Sequence, residues 1–334
     1  MTVEELSKTN KILIIRLSSL GDILLTTPFI RAIKKQFPHI KIDMLVREEY
    51  TDVIKLNPYI DKKLLFKKDD KSNIALIEQL RNDNYQLVID LQNNLRSKKV
   101  VSSLRINSVK FDKRSFDKFL LVNFKINKLK EAPHIPIRYS STIQNLKLDN
   151  QGLDLFTDKS ASAEISGKNN LIGFCPGARH FTKRWPKEFY IELGNKLTQD
   201  GYTIVLFGGK IDKEICAELV DKISGAINLS NNDELLQTAA DMKLCKAVVC
   251  NDSGLMHTAS ATGTKLIAIF GSTVMEFGFA PYNCRNLILE NNSLTCRPCS
   301  HIGRSDCPKK HFDCMKAIKP EFIFENLKSF LTLL

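Results

Sequence analysis

Lys11–Leu17 is a largely apolar run, and in the next stretch, Asp22–Phe37, apolar residues recur at helical spacing. The alternation continues with predicted strands at Lys41–Val46, Lys62–Phe66, Gln86–Asp90 and Ile106–Phe111, separated by helices at Glu48–Leu56, Ser72–Asp83 and Asn94–Leu104. Strands separated by helices of this length pair in parallel through right-handed crossovers. The rhythm weakens from Pro133 and disappears in Asp149–Asn169, a stretch rich in Ser, Asp, Lys and Asn that reads as a linker. It then restarts. Strands are expected at Leu171–Cys175, Tyr202–Phe207, Ala226–Leu229, Ala247–Cys250 and Lys265–Phe270. Helices at Lys187–Asp200, Asp212–Ile223, Asp233–Leu244 and Ser253–Gly263 lie between them, and a last helix, Pro320–Leu333, opens with proline in its first turn. The pattern predicts an α/β chain of two open parallel sheets in tandem, with domains at 1–150 and 151–334.

Length supports this division, because 334 residues are many for one hydrophobic core. With 43% hydrophobic and 26% charged residues the composition is globular. The first ten residues lack a basic-then-apolar signal pattern, and runs such as Leu244–Cys250 fall far short of the ~20 residues a membrane span needs. A soluble, cytoplasmic chain is expected. The net charge of +12 is uneven: residues 1–150 hold 28 Lys and Arg against 17 Asp and Glu, whereas 151–334 hold 21 against 20. Such a field gathers anions, so the first half is expected to meet the more acidic partner, unless its lysines form a solvated surface. Nucleic acid is disfavoured, since the cations are not interleaved with aromatics and no module signature is present. Of nine cysteines, Cys175, Cys216, Cys245, Cys250 and Cys284 are isolated and read as small core residues or reduced thiols.

Open parallel sheets bind ligands where strands give way to helices. The first such junction, Arg16-Leu17-Ser18-Ser19-Leu20-Gly21-Asp22, puts a carboxylate at a helix start, where it either caps the helix or accepts a proton from a hydroxyl. It lacks the Gly-x-Gly-x-x-Gly fingerprint of dinucleotide binding. The second, Cys175 to Pro186, gathers Arg179, Lys183 and Arg184 beside Gly177, Ala178 and the only tryptophan: a phosphate cradle or a basic surface loop. At the third, Gly208-Gly209 permits close backbone approach to a ligand, with Glu214 in reach of ribose hydroxyls. The fourth, Asn251-Asp252-Ser253-Gly254-Leu255-Met256-His257, opens a helix whose free N–H groups suit a diphosphate. His257, one turn in, reads equally as a packed core residue.

The segment Ile14–Pro28, Lys183-Arg184-Trp185-Pro186, Asn251–His257, Phe270-Gly271-Ser272-Thr273 and Asp90–Ser97 together resemble glycosyltransferase family 9, the lipopolysaccharide heptosyltransferases of GT-B fold. The resemblance covers nearly the whole chain. It implies two Rossmann-like domains facing across a cleft, the N-terminal one binding acceptor and the C-terminal one nucleotide sugar. It makes Asp22 the base that deprotonates the acceptor hydroxyl and Lys183 the cation on the donor phosphates. Donor contacts are implied for Ala178, Arg179, Gly208, Gly209, Glu214, Asp252, Ser253, Gly254 and His257, and acceptor contacts for Ser19, Gly21, Gln92 and Arg96. The family's transfer is inverting, and no Asp-x-Asp metal motif is visible, so no cofactor is required.

The departure is Cys296-x-x-Cys299 followed by Cys307 and Cys314, with His311 between. Ligands so spaced suit a structural zinc, a disulfide or free thiols alike, in what reads as an exposed loop. The expected activity is transfer of a heptose, or a related sugar, from an ADP-sugar to a phosphorylated lipid A–core acceptor, at the inner face of the inner membrane. Its rivals are a GT-B enzyme with another donor or acceptor (a capsule or glycoprotein transferase, or a sugar-nucleotide epimerase) and a non-catalytic nucleotide-sugar-binding protein.

Overall fold

In the computed structural model, which describes residues 1–68 and 70–332, both sheets are wholly parallel, as the alternation predicts. The first contains β1 (Lys11–Ile15), β2 (Lys41–Arg47), β3 (Lys62–Phe66), β4 (Leu87–Asp90) and β5 (Ser108–Lys110), in the order β3-β2-β1-β4-β5. The second contains β6 (Leu171–Cys175), β7 (Thr203–Leu206), β8 (Ile227–Asn228), β9 (Ala247–Asn251), β10 (Lys265–Phe270) and β11 (Asn286–Glu290), in the order β11-β10-β9-β6-β7-β8. The central strands are buried along nearly their whole length, which is why they read as unbroken apolar runs. Strand order reverses between β1 and β4 in one sheet and between β6 and β9 in the other. Loops diverge at such points and leave a crevice at the carboxyl ends. All four ends carry residues singled out above: Ile15 pairs with Asp90, and Cys175 with Cys250.

The chain divides into two compact units, one of Met1–Arg114 with Pro133–Phe156, the other of Ser115–Ala132 with everything from Thr157 onward. The stretch expected to be a linker is not loose. Arg31, only 1% exposed, donates from Nε and Nη2 to the Asp149 carboxylate at 2.9 and 2.7 Å, pairs through Nη1 with Asp154 at 2.5 Å and reaches the Gly152 carbonyl at 2.9 Å. Further on, Ser162 donates from its backbone and hydroxyl to Asp241 at 2.7 and 2.8 Å, and Ile165 is fully buried. The polar composition that suggested solvent serves specific partners instead.

Several expected elements change form. The helix expected over Asp22–Phe37 is two, Leu20–Leu24 and Thr27–Gln36. Pro28 has no N–H to continue the ladder, and the Thr26 and Thr27 hydroxyls donate to the carbonyls of Ile23 and Leu24, both at 2.7 Å. Glu48–Leu56 resolves into a 3-10 turn, Glu48–Tyr50, and one short α-helix, Thr51–Ile54. Helices at Val3–Ser7, Ser115–Phe124 and Ile135–Ser140, and the half-exposed edge strand β11, were not foreseen. The last helix is Pro320–Thr332; its expected final residue, Leu333, lies outside the described residues.

The Arg31 anchor is testable. Its hydrogen bonds, with those of Lys35, hold the Asp149 carboxyl down to about 2 from an ordinary 3.8. A depressed carboxylate contributes stability above its unfolded pKa and loses it as pH falls through the folded one. Arg31→Met is expected to cost about 2 kcal/mol in urea unfolding at neutral pH, because it leaves the partly buried carboxylates of Asp149 and Asp154 without their buried partner. It should also flatten the stability loss between about pH 4 and pH 2 relative to wild type. A variant that keeps the wild-type slope in that window would refute the anchor.

Candidate functional site

In the first unit the site begins with Arg16, the residue after β1. Its guanidinium, 7% exposed, is fixed by the carbonyls of Ser18 at 3.0 Å and Leu91 at 2.5 Å. Its Nη2 meets Asp22 Oδ1 at 2.5 Å. The other Asp22 oxygen accepts from the Ser19 backbone at 3.1 Å and the Ser19 hydroxyl at 2.7 Å, so the carboxylate does close the helix start. It is nonetheless 18% exposed, and capping leaves it accessible. Across the switch point, Asp90 accepts from the Gln92 and Asn93 backbones at 3.0 and 2.7 Å and from the Ser97 hydroxyl at 2.8 Å, which shapes the loop after β4. Gln92, 7% exposed, accepts from the Ser18 backbone at 3.1 Å and ties the two loops together. Gly21 is buried, Ser19 exposed, and Arg96 exposed on the helix Leu95–Leu104.

Lys113 belongs to this group and was missed in the sequence, where it reads as one more surface lysine. It is only partly exposed, and burial pushes its ammonium down, reinforced by Arg16 and Lys98 and opposed by Asp90 and Asp22. Arg16 was likewise given no role. Cations of this kind suit an anionic group next to Asp22.

In the second unit Asp252 is the hub. It is 6% exposed, pairs with Lys183 at 2.7 Å and accepts from the Thr273 hydroxyl at 2.6 Å. Burial alone pushes its carboxyl up. Lys183, Thr273 and His257 outweigh that and hold it below the usual carboxylate range. Asn251, fully buried, sends its amide to the Pro176 carbonyl at 2.8 Å and accepts from the Trp185 backbone at 3.0 Å, joining the ends of β6 and β9. Trp185 is buried with its indole donating to the Ile318 carbonyl at 2.8 Å, so it anchors the turn that carries Lys183.

The helix Gly254–Thr262 starts immediately beyond Asp252. Its N-cap, Ser253, makes no capping bond, and the buried hydroxyls of Ser253 and Ser272 have no hydrogen-bond partner among the described residues. Buried polar atoms normally find partners, so the two orphaned hydroxyls at the ends of β9 and β10 are groups that a polar ligand could satisfy. His257 is 4% exposed, in line with its packed reading, yet close enough to act on Asp252.

Other expected donor contacts look different in place. Ala178 is buried and offers its carbonyl to Arg184 Nε at 2.7 Å, and Arg179 is exposed. The glycines at the third junction are accounted for by the chain itself. A Cβ on Gly209 would lie 2.2 Å from Asp233 Oδ1, and one on Gly208 would lie 2.7 Å from the Asp212 Cβ. Glu214 is exposed on the helix Lys213–Lys222.

A family model described as glycosyltransferase family 9 (heptosyltransferase) matches residues 73–310. The chain belongs to that family. Lipooligosaccharide heptosyltransferase 2 of Campylobacter jejuni is 26% identical over 323 residues, 94% of this chain and 96% of that one. Lipopolysaccharide heptosyltransferase 2 of Salmonella typhimurium is 40% identical over 119 residues, 34% of each chain. Among solved structures, ADP-heptose LPS heptosyltransferase II of E. coli superposes with a TM-score of 0.73 at 24% identity, covering 96% of this chain and 98% of that one. The fold of this family 9 chain is GT-B. Among the described residues no helix is long and apolar enough to cross a membrane.

The cysteine-rich segment of this glycosyltransferase is exposed over most of 301–310, as expected of a loop, but it is anchored at buried points on either side. Arg297, between Cys296 and Pro298, is 7% exposed and donates to the carbonyls of Gly271 at 2.6 Å and Thr273 at 2.8 Å, and to Glu290 at 2.7 Å. Downstream, the Arg304 backbone donates to the Thr182 hydroxyl at 2.8 Å and accepts from the Thr182 backbone at 3.2 Å, bracing the turn that bears Lys183. All four cysteines are free thiols, and burial pushes Cys314 up to about 12. Among the described residues no three His, Cys, Asp or Glu side chains are grouped to hold a metal ion.

Arg297→Met is therefore expected to destabilise the protein by about 3 kcal/mol in urea unfolding, since it strips a buried carboxylate and several carbonyls of their donor. A loss below about 0.5 kcal/mol, the scatter of ordinary surface changes, would show that the segment is peripheral.

Proposed function

We propose that this protein transfers a heptose, or a closely related sugar, from an ADP-sugar to a hydroxyl of a phosphorylated, acyl-anchored lipopolysaccharide core, with inversion at the anomeric carbon. The observation that carries the reading is the Lys183–Asp252–Thr273 cluster beside the start of the helix Gly254–Thr262, in a chain of the heptosyltransferase family. A departing nucleoside diphosphate needs fixed positive charge, and an ammonium beside unsatisfied helix N–H groups supplies it without reorganisation. Lys183 and Gly254 take the leaving diphosphate in this reading, and Asp252 and the Ser253 hydroxyl meet the donor's remaining polar groups.

Asp22 takes the proton of the attacking hydroxyl as the bond to the anomeric carbon forms, and the sugar passes through an oxocarbenium-like state. Arg16 and Ser19 leave the carboxylate one fixed orientation. Arg96 and Lys113, with Ser19, Gly21 and Gln92 shaping the loops, hold the anionic acceptor. No step is assigned to a metal, because the cation and the helix start neutralise the leaving group. An anionic bilayer face, which holds such an acceptor, is the setting.

Asp22→Ala is expected to lower kcat by about a thousandfold while leaving ADP affinity within about twofold of wild type. Activity within tenfold of wild type would remove Asp22 from the reaction. Lys183→Ala should weaken ADP binding and turnover together. In thermal-shift measurements ADP, and not UDP or GDP, is expected to raise the melting temperature, since only a ligand of the folded state stabilises it. Stabilisation by UDP or GDP instead would replace the donor in this reading.

A further inference from the structure

We propose that the helix Ser115–Phe124, with the turn that follows it, is a docking face for an anionic phospholipid bilayer. This deepens the reading above, on which it rests only for the presence of an acyl-anchored acceptor. Among the described residues thirteen large apolar side chains are exposed, and four of them (Phe116, Phe119, Phe124 and Ile126) fall within eleven residues of chain. Apolar residues scattered singly over a surface are ordinary, whereas a contiguous group marks an interaction surface.

The helix has two faces. Its inner side seats Leu121, 5% exposed, in a small cluster with Leu129, Val274 and Phe277. Lys118 lies over the Phe279 ring at 5.5 Å. The turn is held on the same body: Asn127 donates to Glu276 at 3.0 Å, and Lys125 to the Pro298 carbonyl at 2.7 Å. On the outer side Phe116 is 66% exposed, Phe119 52% and Phe124 61%, and the Phe119 and Phe124 rings contact edge to face at 5.8 Å. The anchored inner face makes the outer aromatics a fixed feature of the surface.

Charge selects the occupant. Residues 115–132, all of the same compact unit, contain four cations (Lys118, Lys125, Lys128 and Lys130) against two carboxylates, Asp117 and Glu131. Lys125, Lys128 and Lys130 are exposed. Contrary to the expectation that cations and aromatics stand apart, phenylalanines and lysines alternate here, the pairing that seats an interfacial helix: the rings enter the headgroup boundary and the ammonium groups meet anionic lipid. A second copy of the chain would bring the same positive charge against itself.

The test uses the full chain and vesicles of phosphatidylethanolamine with phosphatidylglycerol, compared with phosphatidylcholine alone. Wild type is expected to co-sediment with the anionic vesicles and to be released as salt rises, because screening shortens the reach of the lysines. Phe116→Gln/Phe119→Gln/Phe124→Gln together should weaken vesicle binding by about tenfold or more, as apolar burial is lost. Turnover on a water-soluble core acceptor should stay within about twofold of wild type. Phe322→Gln, a control at an exposed phenylalanine on another helix, should bind as wild type. Phe119→Trp gives a second readout in a chain whose only other tryptophan is buried, and its emission should shift to the blue on adding anionic vesicles.

Unaltered vesicle binding by the triple variant would overturn the proposal, as would an unshifted Phe119→Trp spectrum. Conversion of a wild-type dimer to monomer by the triple variant would overturn it in favour of a self-interface, and equal loss of turnover on the soluble acceptor in favour of a substrate contact. Failure of sugar transfer itself would strike the proposed activity and leave the vesicle result standing.

Discussion

A carboxylate taken out of water persists as a charge only where a cation and a hydrogen-bond donor meet it, and in the second unit everything near the site follows from meeting Asp252. Its two partners come from different strand ends, Lys183 from the turn after β6 and Thr273 from the loop after β10, while Asp252 itself follows β9. Three loops that would otherwise diverge are thereby drawn to one point. Asn251 adds a neutral tie between the ends of β6 and β9. Arg297 holds the third loop from behind, and the Thr182–Arg304 backbone pair braces the turn beneath Lys183. The cysteine-rich segment thus acts as the buttress of this cluster. Its integrity matters to the site through the carbonyls it engages, whatever the state of its thiols.

The first unit repeats the device with other residues. A cation from the end of its central strand, Arg16, holds a carboxylate at the start of the following helix, and the carboxylate stays partly open to solvent. In both units the ion pair stands where strand order reverses, because only there do neighbouring loops part and leave room for a ligand. The two pairs differ in burial. Asp252 is nearly buried, and its ion pair fixes the place of Lys183. Asp22, at 18% exposure, can still be reached, which a proton acceptor needs. In the proposed reaction Lys183 exchanges one anionic partner for another when the diphosphate arrives, so the pairing with Asp252 keeps the ammonium in place beforehand.

Much of this was legible in the sequence, for identifiable reasons. Continuous apolar strands and helical spacing depend on local pattern alone, and glycine, proline and aspartate at the junctions are local signals too. Roles set by partners distant in sequence were not legible. Arg31 meets Asp149 across 118 positions, and Arg297 meets the Gly271 carbonyl across 26, so each reads in isolation as a surface cation. Gly208 and Gly209 have a local reason as well. Glycine does permit close approach there, but the approaching groups are the chain's own Asp212 and Asp233. The helix Ser115–Phe124 escaped notice because much of its apolar content faces outward, which blurs the amphipathic stripe by which buried helices are recognised.

That helix also changes how the charge distribution is to be understood. Counted along the chain, the basic excess belongs to the first 150 residues. Counted by compact unit, residues 115–132, with four cations against two carboxylates, belong with the second body. The positive field is therefore not the property of one substrate-binding half. Around Asp22 it is concentrated in one buried and one partly buried group, Arg16 and Lys113, which in the proposed reaction serve a specific anion. Along residues 115–132 it is carried on exposed lysines near exposed phenylalanines, an arrangement too open to select a small ligand. A field that is weak per group but extended over a surface suits an extended charged partner, and a bilayer is the extended anion that a lipid-anchored acceptor brings with it.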